Sequence, residues 1–484
     1  MSAAARTRGS GAVPAARVAG EAPTPAAATS ARAAPQAPTD LTLTFVDEAT
    51  VRAVSSANGE PGWLLADRLE GLRRFEALPI ETSQLYTPYV DLRNAHLREV
   101  RPVERTGRDR ADCDELPEGA AAIAQIDEEG VCSASISDEA AAAGLILEPL
   151  SRTAARDPKL FRTLLEGGCA LPENDKLAQM TRALWSDGVL LTVPDGVRLE
   201  KPVVLRWTIG KPGTALLART IVSLGSDAEV SIVEEQSSGS FDGSAAQAFY
   251  AGTTEVEVGQ GSTLSFAGLQ DLSLGQVAFQ HRSAVLGRGA TVRWALAQLG
   301  CRVVRSRIDN RLEGDGSTVE QAEIVFGSTD QLFDLTSYTR HIGRDTTGNL
   351  LAKGALADRS RAYMKGLATI DLPAHGTDSY LGEFGMLLSR QARSVAIPSL
   401  EIDQPDCRRV AHASSVGPID ESQLFYLMSR GLDSEEARKS IVLGDLEPVV
   451  ARVPLESARD RLRELLEAKW NARTVARPTD AAVA

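Results

Sequence analysis

At 484 residues the chain is long enough for roughly two to four domains, and for a large core without disulfide staples. Hydrophobic residues make up 43% and charged residues 24%, ordinary for a globular protein, and the formal net charge of −13 argues against a basic surface for duplex nucleic acid. The five cysteines, Cys113, Cys132, Cys169, Cys301 and Cys407, are widely spaced and form no Cys-x-x-Cys pair. That argues against a disulfide framework or a zinc knuckle and suits a reducing, cytoplasmic setting. No run approaches the ~18 apolar residues needed to span a bilayer.

Residues 1–40 are mostly Ala, Pro, Ser and Arg with almost no large apolar side chain. Such a segment cannot offset its ordering entropy and is expected to be a disordered tail, with an organellar transit peptide as the alternative. Residues 41–185 form a predicted N-terminal helical region. In "WLLADRLEGLRRFEALP", Trp63, Leu64, Leu65, Leu69, Leu72 and Phe75 share a stripe that Pro79 ends. The stretch from 100 to 140 is acidic and Ala-rich with weak periodicity, and is expected to be loop or insertion. Two further helices are predicted behind Asp157 and Asp175 as N-caps, with Gly167 and Gly188 as stops.

From Val189 to about Ile402 short alternating runs replace helical periodicity. A Gly-x-(Gly/Asp) signal recurs at Gly225, Gly259, Gly287 and Gly314, at intervals suited to stacked repeats. Glycine at similar points of each coil, where φ must be positive, predicts a β-helix or related β-solenoid core over 186–408. A β-sandwich is the alternative, since its strands also alternate between turns.

Helices return over 409–475, with 476–484 as a flexible end. Asp420 with Gln423 three residues on reads as a capping box, and Gly431 ends that helix. "DSEEARKSIVLG" is expected to repeat the arrangement with Gly444 as its stop, and "PLESARDRLRELLEAKW" gives a third helix.

No Walker A motif, His-Glu-x-x-His or Gly-x-Ser-x-Gly elbow occurs. Among the five histidines, His412 stands out by context: Glu401, Asp403, Asp406, Cys407 and His412 lie close in sequence where strands give way to helices. A neutral imidazole and a thiolate there could accept iron, sulfur or zinc.

The tail "HASSVGPIDESQLFYLMSRGLDSEEARKSIVLGDLEPV" resembles the C-terminal signature of the SufB/SufD iron–sulfur cluster assembly proteins, and "LFYLMSRG" at 424–431 matches its core without a gap. "WSDGVLLTVPDGVRLEKPV", "KGALADRSRAYMKGLATI" and "LLSRQARSVAIPSLEI" are similar to segments of the same family's core. The resemblance implies a mainly β protein, a right-handed parallel β-helix flanked by N-terminal and C-terminal α-helical regions. It implies a non-enzymatic scaffold with no stably bound cofactor, on which a transient iron–sulfur cluster forms at a subunit interface. The partners it implies are a SufB-like paralogue or a second copy, a SufC-like ABC-type ATPase, and a sulfur-transfer protein with its cysteine desulfurase; neither nucleic acid nor membrane is among them.

SufB-type proteins carry a cysteine where Phe384 stands here, and a glutamate where Ala413 stands, so the SufD type is the better match. Val410 takes a position that is often Cys in SufD-type proteins. On this resemblance His412, with Cys407 as a substitute thiol, would face cluster assembly, and His412 would contact metal. Asp420, Leu424, Phe425, Tyr426 and Arg430 would form the ATPase-docking face, with Leu424 and Leu427 as core and Phe425 and Tyr426 as contacts in the narrower version. Two alternatives are a SufB-like paralogue that holds the nascent cluster itself and, from a different class, a carbohydrate-active β-helix enzyme.

Overall fold

The computed structural model describes residues 41–103, 115–131, 135–166, 171–239 and 246–473. The expected tail at 1–40, the end at 476–484, part of the acidic stretch, Gly167, and Cys113, Cys132 and Cys169 lie outside the described residues. No helix among the described residues is long and apolar enough to cross a membrane.

The N-terminal region holds α1 (Glu48–Ala57), α2 (Gly62–Ala77), a 3-10 turn (Thr87–Tyr89), β1 (Arg101–Pro102), β2 (Ala122–Asp127), β3 (Gly130–Val131), β4 (Ser135–Ile136), α3 (Asp138–Ala142), β5 (Ile146–Pro149), α4 (Leu150–Arg156), α5 (Pro158–Glu166) and α6 (Lys176–Leu184). Asp157 and Asp175 cap α5 and α6 as expected, accepting from the Leu160 and Ala178 amides. Gly188 does not stop α6: Trp185 closes that helix and Gly188 lies inside a strand.

The core strands are β6 (Asp187–Val193), β7 (Val203–Ile209), β8 (Thr214–Leu224), β9 (Glu229–Ser238), β10 (Ala248–Val258), β11 (Thr263–Asp271), β12 (Gln276–Leu286), β13 (Thr291–Gln298), β14 (Val303–Leu312), β15 (Thr318–Gly327), β16 (Leu332–His341), β17 (Thr347–Leu356), β18 (Arg361–Ile370), β19 (Thr377–Leu387), β20 (Arg393–Ile402) and β21 (Cys407–Pro418). Even-numbered strands form one sheet and odd-numbered strands the other. From β6 to β21 each pairs in parallel with the strand two places away and not with the next one in sequence; the exception to the pattern is the capped end, where β6 also pairs antiparallel with β5. The chain therefore winds between two walls, two strands per turn, as a parallel β-solenoid of about eight turns. This excludes the sandwich, in which hairpin and Greek-key connections make the sheets antiparallel. Identical facing positions stack from turn to turn: Phe266, Trp294 and Gln321 lie in one row, and the Phe266 and Trp294 rings are 5.1 Å apart.

The glycine signals do two jobs, and only one was expected. The third residue of each Gly-x-(Gly/Asp) takes the positive φ: Asp227 (55°), Gly261 (70°), Gly289 (64°) and Gly316 (70°). The first glycine does not. It is there because the turns stack backbone on backbone: a Cβ on Gly259 would lie 2.4 Å from the Gly225 carbonyl oxygen, and one on Gly314 only 2.1 Å from the Arg288 nitrogen.

Three expected boundaries move. The "loop" from 100 to 140 contains β2, whose run Ala122–Asp127 pairs in parallel with β7 and starts the odd sheet. Alanine-rich strands carry little periodic contrast, which hid it. The ladder does not end at 408: β21 continues to Pro418 against β19. In the tail, α7 (Glu421–Ser429), α8 (Ser434–Val450) and α9 (Glu456–Ala472) form, but α8 runs through Gly444. The reciprocal capping box belongs to Asp433 and Glu436 of α8, whereas Asp420 caps α7 alone through the Ser422 and Gln423 amides.

The helices cover opposite walls. Leu72, Leu177 and Met180 pack on Leu217, Phe249 and Phe279 of the even sheet, and Val442, Leu446, Leu462 and Trp470 pack on Ala322, Ile324 and Phe326 of the odd sheet. A buried ion network fastens the first cover: Arg305 binds Glu81 at 2.8 Å and Asp334 at 2.7 Å, and Asp334 also meets Lys365 at 2.5 Å. Beside it Arg307 reaches Asp309 at 2.7 Å and Asp175 at 3.2 Å.

Candidate functional site at the open end of the solenoid

The first turns of the solenoid are closed by β5 and by β2 with β3, which pair at that end. The last turn has no such cover among the described residues. β20 pairs only with β18, and β21 only with β19, so both present a free strand edge. Their side chains are half-buried or exposed throughout, whereas earlier strands are mostly buried. Ile402 (49% exposed), Val416 (40%) and Leu372 (67%) add apolar surface at this end.

His412 lies in β21, in register with buried Leu381 of β19, and is exposed. Cys407 begins the same strand. A bulge takes up one residue at the start of β21, so the stretch between them matches Thr377 to Leu381 of β19 and spans roughly 13 Å, and the two are not brought together. The Cys407 thiol donates to the Gln404 carbonyl oxygen at 3.1 Å, in a corner where Gln404 also reaches His375 at 3.0 Å and His375 meets Asp406 at 3.3 Å. Burial, then the Asp406 charge, raises the pKa of Cys407 and disfavours the thiolate. Glu401 and Asp403 stay near the end of β20. The cluster that the sequence suggested is therefore spread along the edge. No three His, Cys, Asp or Glu side chains among the described residues converge as a metal site.

The residue that sequence reasoning missed is Glu383, next to Phe384. Phe384 shares its row with Lys353, whose ammonium binds Asp445 of α8 at 2.6 Å, so it faces the C-terminal helices. Glu383 points the other way, into the bore, opposite Ser414 of the last strand. It is 1% exposed, and its carboxylate makes no ion pair among the described residues, meeting only the backbone amide of Ile397. Burial raises its pKa to about 7, against smaller opposing effects of the Ile397 amide and the Lys365 charge. Its only sequence signal is a carboxylate at an inward position of the alternating run "SYLGEFGML".

Immediately after β21 comes α7, with no buried residue. Phe425 is 74% exposed, Tyr426 55% and Met428 44%. The Arg430 guanidinium lies 5.2 Å from the Tyr426 ring centroid. Leu424 and Leu427 are half-buried, and Leu424 packs against the α8–α9 cluster. The division into apolar supports and outward aromatics is thus the one the helix displays. Asp420 is occupied in capping.

Residues 207–445 match the family model described as the SUF system FeS cluster assembly, SufBD core domain. The chain belongs to the SufB/SufD family. It is 28% identical to the iron–sulfur cluster assembly protein SufD of Bacillus subtilis over 88% of this chain and 98% of that relative. Identity to SufB of the same organism is 24%, over 84% and 90%, and a SufBD family protein of Staphylococcus saprophyticus gives 24% over 85% and 90%. Within the family the SufD type fits better, as Phe384 in place of a thiol already implies. The chain is an iron–sulfur cluster assembly protein of that family.

Proposed function

We propose that this chain is the SufD-like subunit of a SufB–SufC–SufD type scaffold in the cytoplasm. The open edge of β20 and β21 is the surface on which a SufB-like paralogue, or a second copy, docks by extending the sheets. The nascent cluster is cargo at that junction, and His412 supplies an imidazole to it from this side. Sulfur enters from a cysteine desulfurase by way of a sulfur-transfer protein and the partner, because Phe384 cannot accept it and Cys407 sits at the far end of β21.

On this reading α7 docks a SufC-like ABC-type ATPase through Phe425 and Tyr426, with Arg430 holding Tyr426. ATP hydrolysis belongs to that partner. The observation that carries the proposal is the juxtaposition, in a SufB/SufD family member, of two uncovered surfaces: a free double strand edge and, one turn of chain later, a helix with its aromatics outward. The SufB-like alternative would require a thiol at position 384.

Co-purification with the ATPase and the SufB-like paralogue tests the assembly; failure of the intact chain to associate with either refutes it. His412→Ala is expected to lower cluster transfer while leaving association intact, and unchanged transfer removes His412 from the mechanism.

A further inference from the structure

The seam between the N-terminal region and the even sheet holds buried charges that do not balance. Three cations, Arg305, Arg307 and Lys365, are paired with four carboxylates, Glu81, Asp175, Asp309 and Asp334. The Asp309 side chain is 17% exposed and the other six are 6% or less. No further Lys or Arg pairs with these carboxylates among the described residues. The nearby Arg219–Glu255 pair, at 2.8 Å, is closed on itself. Burial pushes the carboxyls up, yet Arg307 holds Asp175 and Asp309, and Lys365 holds Asp334, below the usual carboxylate range. These acids therefore do not shed the surplus charge by binding a proton themselves. A buried charge without a counter-charge is costly.

One titratable group remains beside them. His281 is 4% exposed and stands in register between Thr253 of β10 and Arg307 of β14. Its Nε2 lies 2.8 Å from Asp309 Oδ2, the oxygen that also accepts from Arg307 Nε at 2.7 Å. Its Nδ1 is buried and has no hydrogen-bond partner. The ring lines a cavity of about 10 Å3 together with Asp175, Thr181, Thr253 and Arg305, room for about one water. From α6 and its cap the one charge facing the ring is Asp175: Lys176 turns to the Phe75 and Leu78 carbonyls, and Arg182 to Asp67. From β16 the Tyr338 ring covers Arg307, 4.6 Å from its guanidinium. Arg282, next to His281 in sequence, binds Glu234 instead.

We propose that His281 supplies the missing charge, as an imidazolium that sets four cations against four carboxylates and fastens α6 and the Glu81 segment to the even wall in a pH-dependent way. With the proton the group is neutral overall. Without it, one negative charge is left buried at the seam. A proton held more tightly in the closed seam than in an open one supports closure at low pH, and that support is lost as pH rises and the ring gives the proton up. The seam is thus a latch that alkali loosens. The C-terminal helices lie on the opposite wall and are outside its reach.

The test uses the full chain with its histidines labelled with 15N. The expected result at pH 7 is a His281 ring with protons on both nitrogens, assigned by its absence from His281→Gln. Asp309→Asn removes one carboxylate and balances the group without the proton, so its His281 ring should be neutral at the same pH. Amide exchange of α6, corrected for the intrinsic effect of pH, should quicken about tenfold or more from pH 7 to pH 9 in wild type and be fast at both in His281→Gln. A neutral His281 ring in wild type at pH 7, or exchange that responds to pH equally in wild type and His281→Gln, overturns the latch. Should His281→Gln fail to fold, the ring still decides: the same protonation in wild type and Asp309→Asn overturns the proposal.

Discussion

Replacing Glu383 with glutamine should stabilise the protein at pH 8 and change the way its stability depends on pH. A glutamate held at about 7 when folded, against 4.5 when unfolded, is harder to ionise in the native state. Folding therefore favours the protonated form. Above pH 7 the full cost of that shift opposes folding, and below pH 4.5 the cost is gone, so this group makes the protein more stable as pH falls through that window. At 1.36 kcal/mol per unit, a shift of 2.5 units corresponds to about 3 kcal/mol. Glutamine has the same shape without the charge. Its own buried amide costs on the order of 1–2 kcal/mol, but that cost does not vary with pH.

Glu383→Gln should therefore be more stable than wild type by about 1–3 kcal/mol at pH 8, with an advantage that shrinks steadily towards pH 4.5. Taking the difference matters because His341 works in the opposite direction. Burial lowers its pKa from 6.5 to about 4, so its neutral form stabilises the fold, and that stability is lost as pH falls from 6.5 to 4. The two groups offset each other between pH 6.5 and 4.5 in wild type, and the variant should expose the His341 slope. Urea unfolding at pH 8, 7, 6 and 5 measures this. A difference that does not vary with pH, or a variant less stable than wild type at pH 8, would refute the claim that Glu383 is a buried carboxylate without an ion-pair partner.

Phe425→Ala together with Tyr426→Ala should leave thermal unfolding within about 1 °C, because both rings are exposed and surface changes are usually near neutral; on the proposed function it should abolish capture of the ATPase in a pull-down. Gly314→Ala should unfold or severely destabilise the chain, since its Cβ would stand 2.1 Å from a backbone nitrogen of the turn below. Gly289→Ala meets nothing within 4 Å and suffers only the positive φ, a cost of about 1 kcal/mol, so urea midpoints should rank the two clearly. Arg305→Met leaves Glu81 and Asp334 short of their buried partner and should cost roughly 3–5 kcal/mol. It should also bring faster proteolysis near residue 81, where the N-terminal segment is tied to the even sheet.

The architecture was largely legible because a solenoid repeats its instructions. Gly259, Gly287 and Gly314 recur where successive turns touch, and the runs between them alternate with period two. What the sequence hid were the places where the signal depends on what lies in the next turn. Gly225 and Gly261 look alike as glycines, yet one is needed for a close approach and the other for a left-handed backbone. β2 was illegible because its run of six, Ala-Ile-Ala-Gln-Ile-Asp, sets alanines on one face and one isoleucine on each, which gives little periodic contrast. His412 and Cys407 looked like neighbours because five residues are close in a loop or helix. In the strand that actually forms, the same five residues leave Cys407 at its start and carry His412 to its middle.

Glu383 shows the same rule from the other side. Read along the chain, it is one acid between Gly382 and Phe384, and attention falls on the aromatic that replaces a thiol. Only the winding of the chain turns it inward, sets Gly366 across the bore from it, and leaves Lys365 committed to Asp334. A packed core would have no reason to keep such a group when glutamine or leucine would cost less. A carboxylate that weakens the fold at neutral pH breaks a local rule in the turn next to a free double edge, and the pH dependence of Glu383→Gln measures what that break costs the fold.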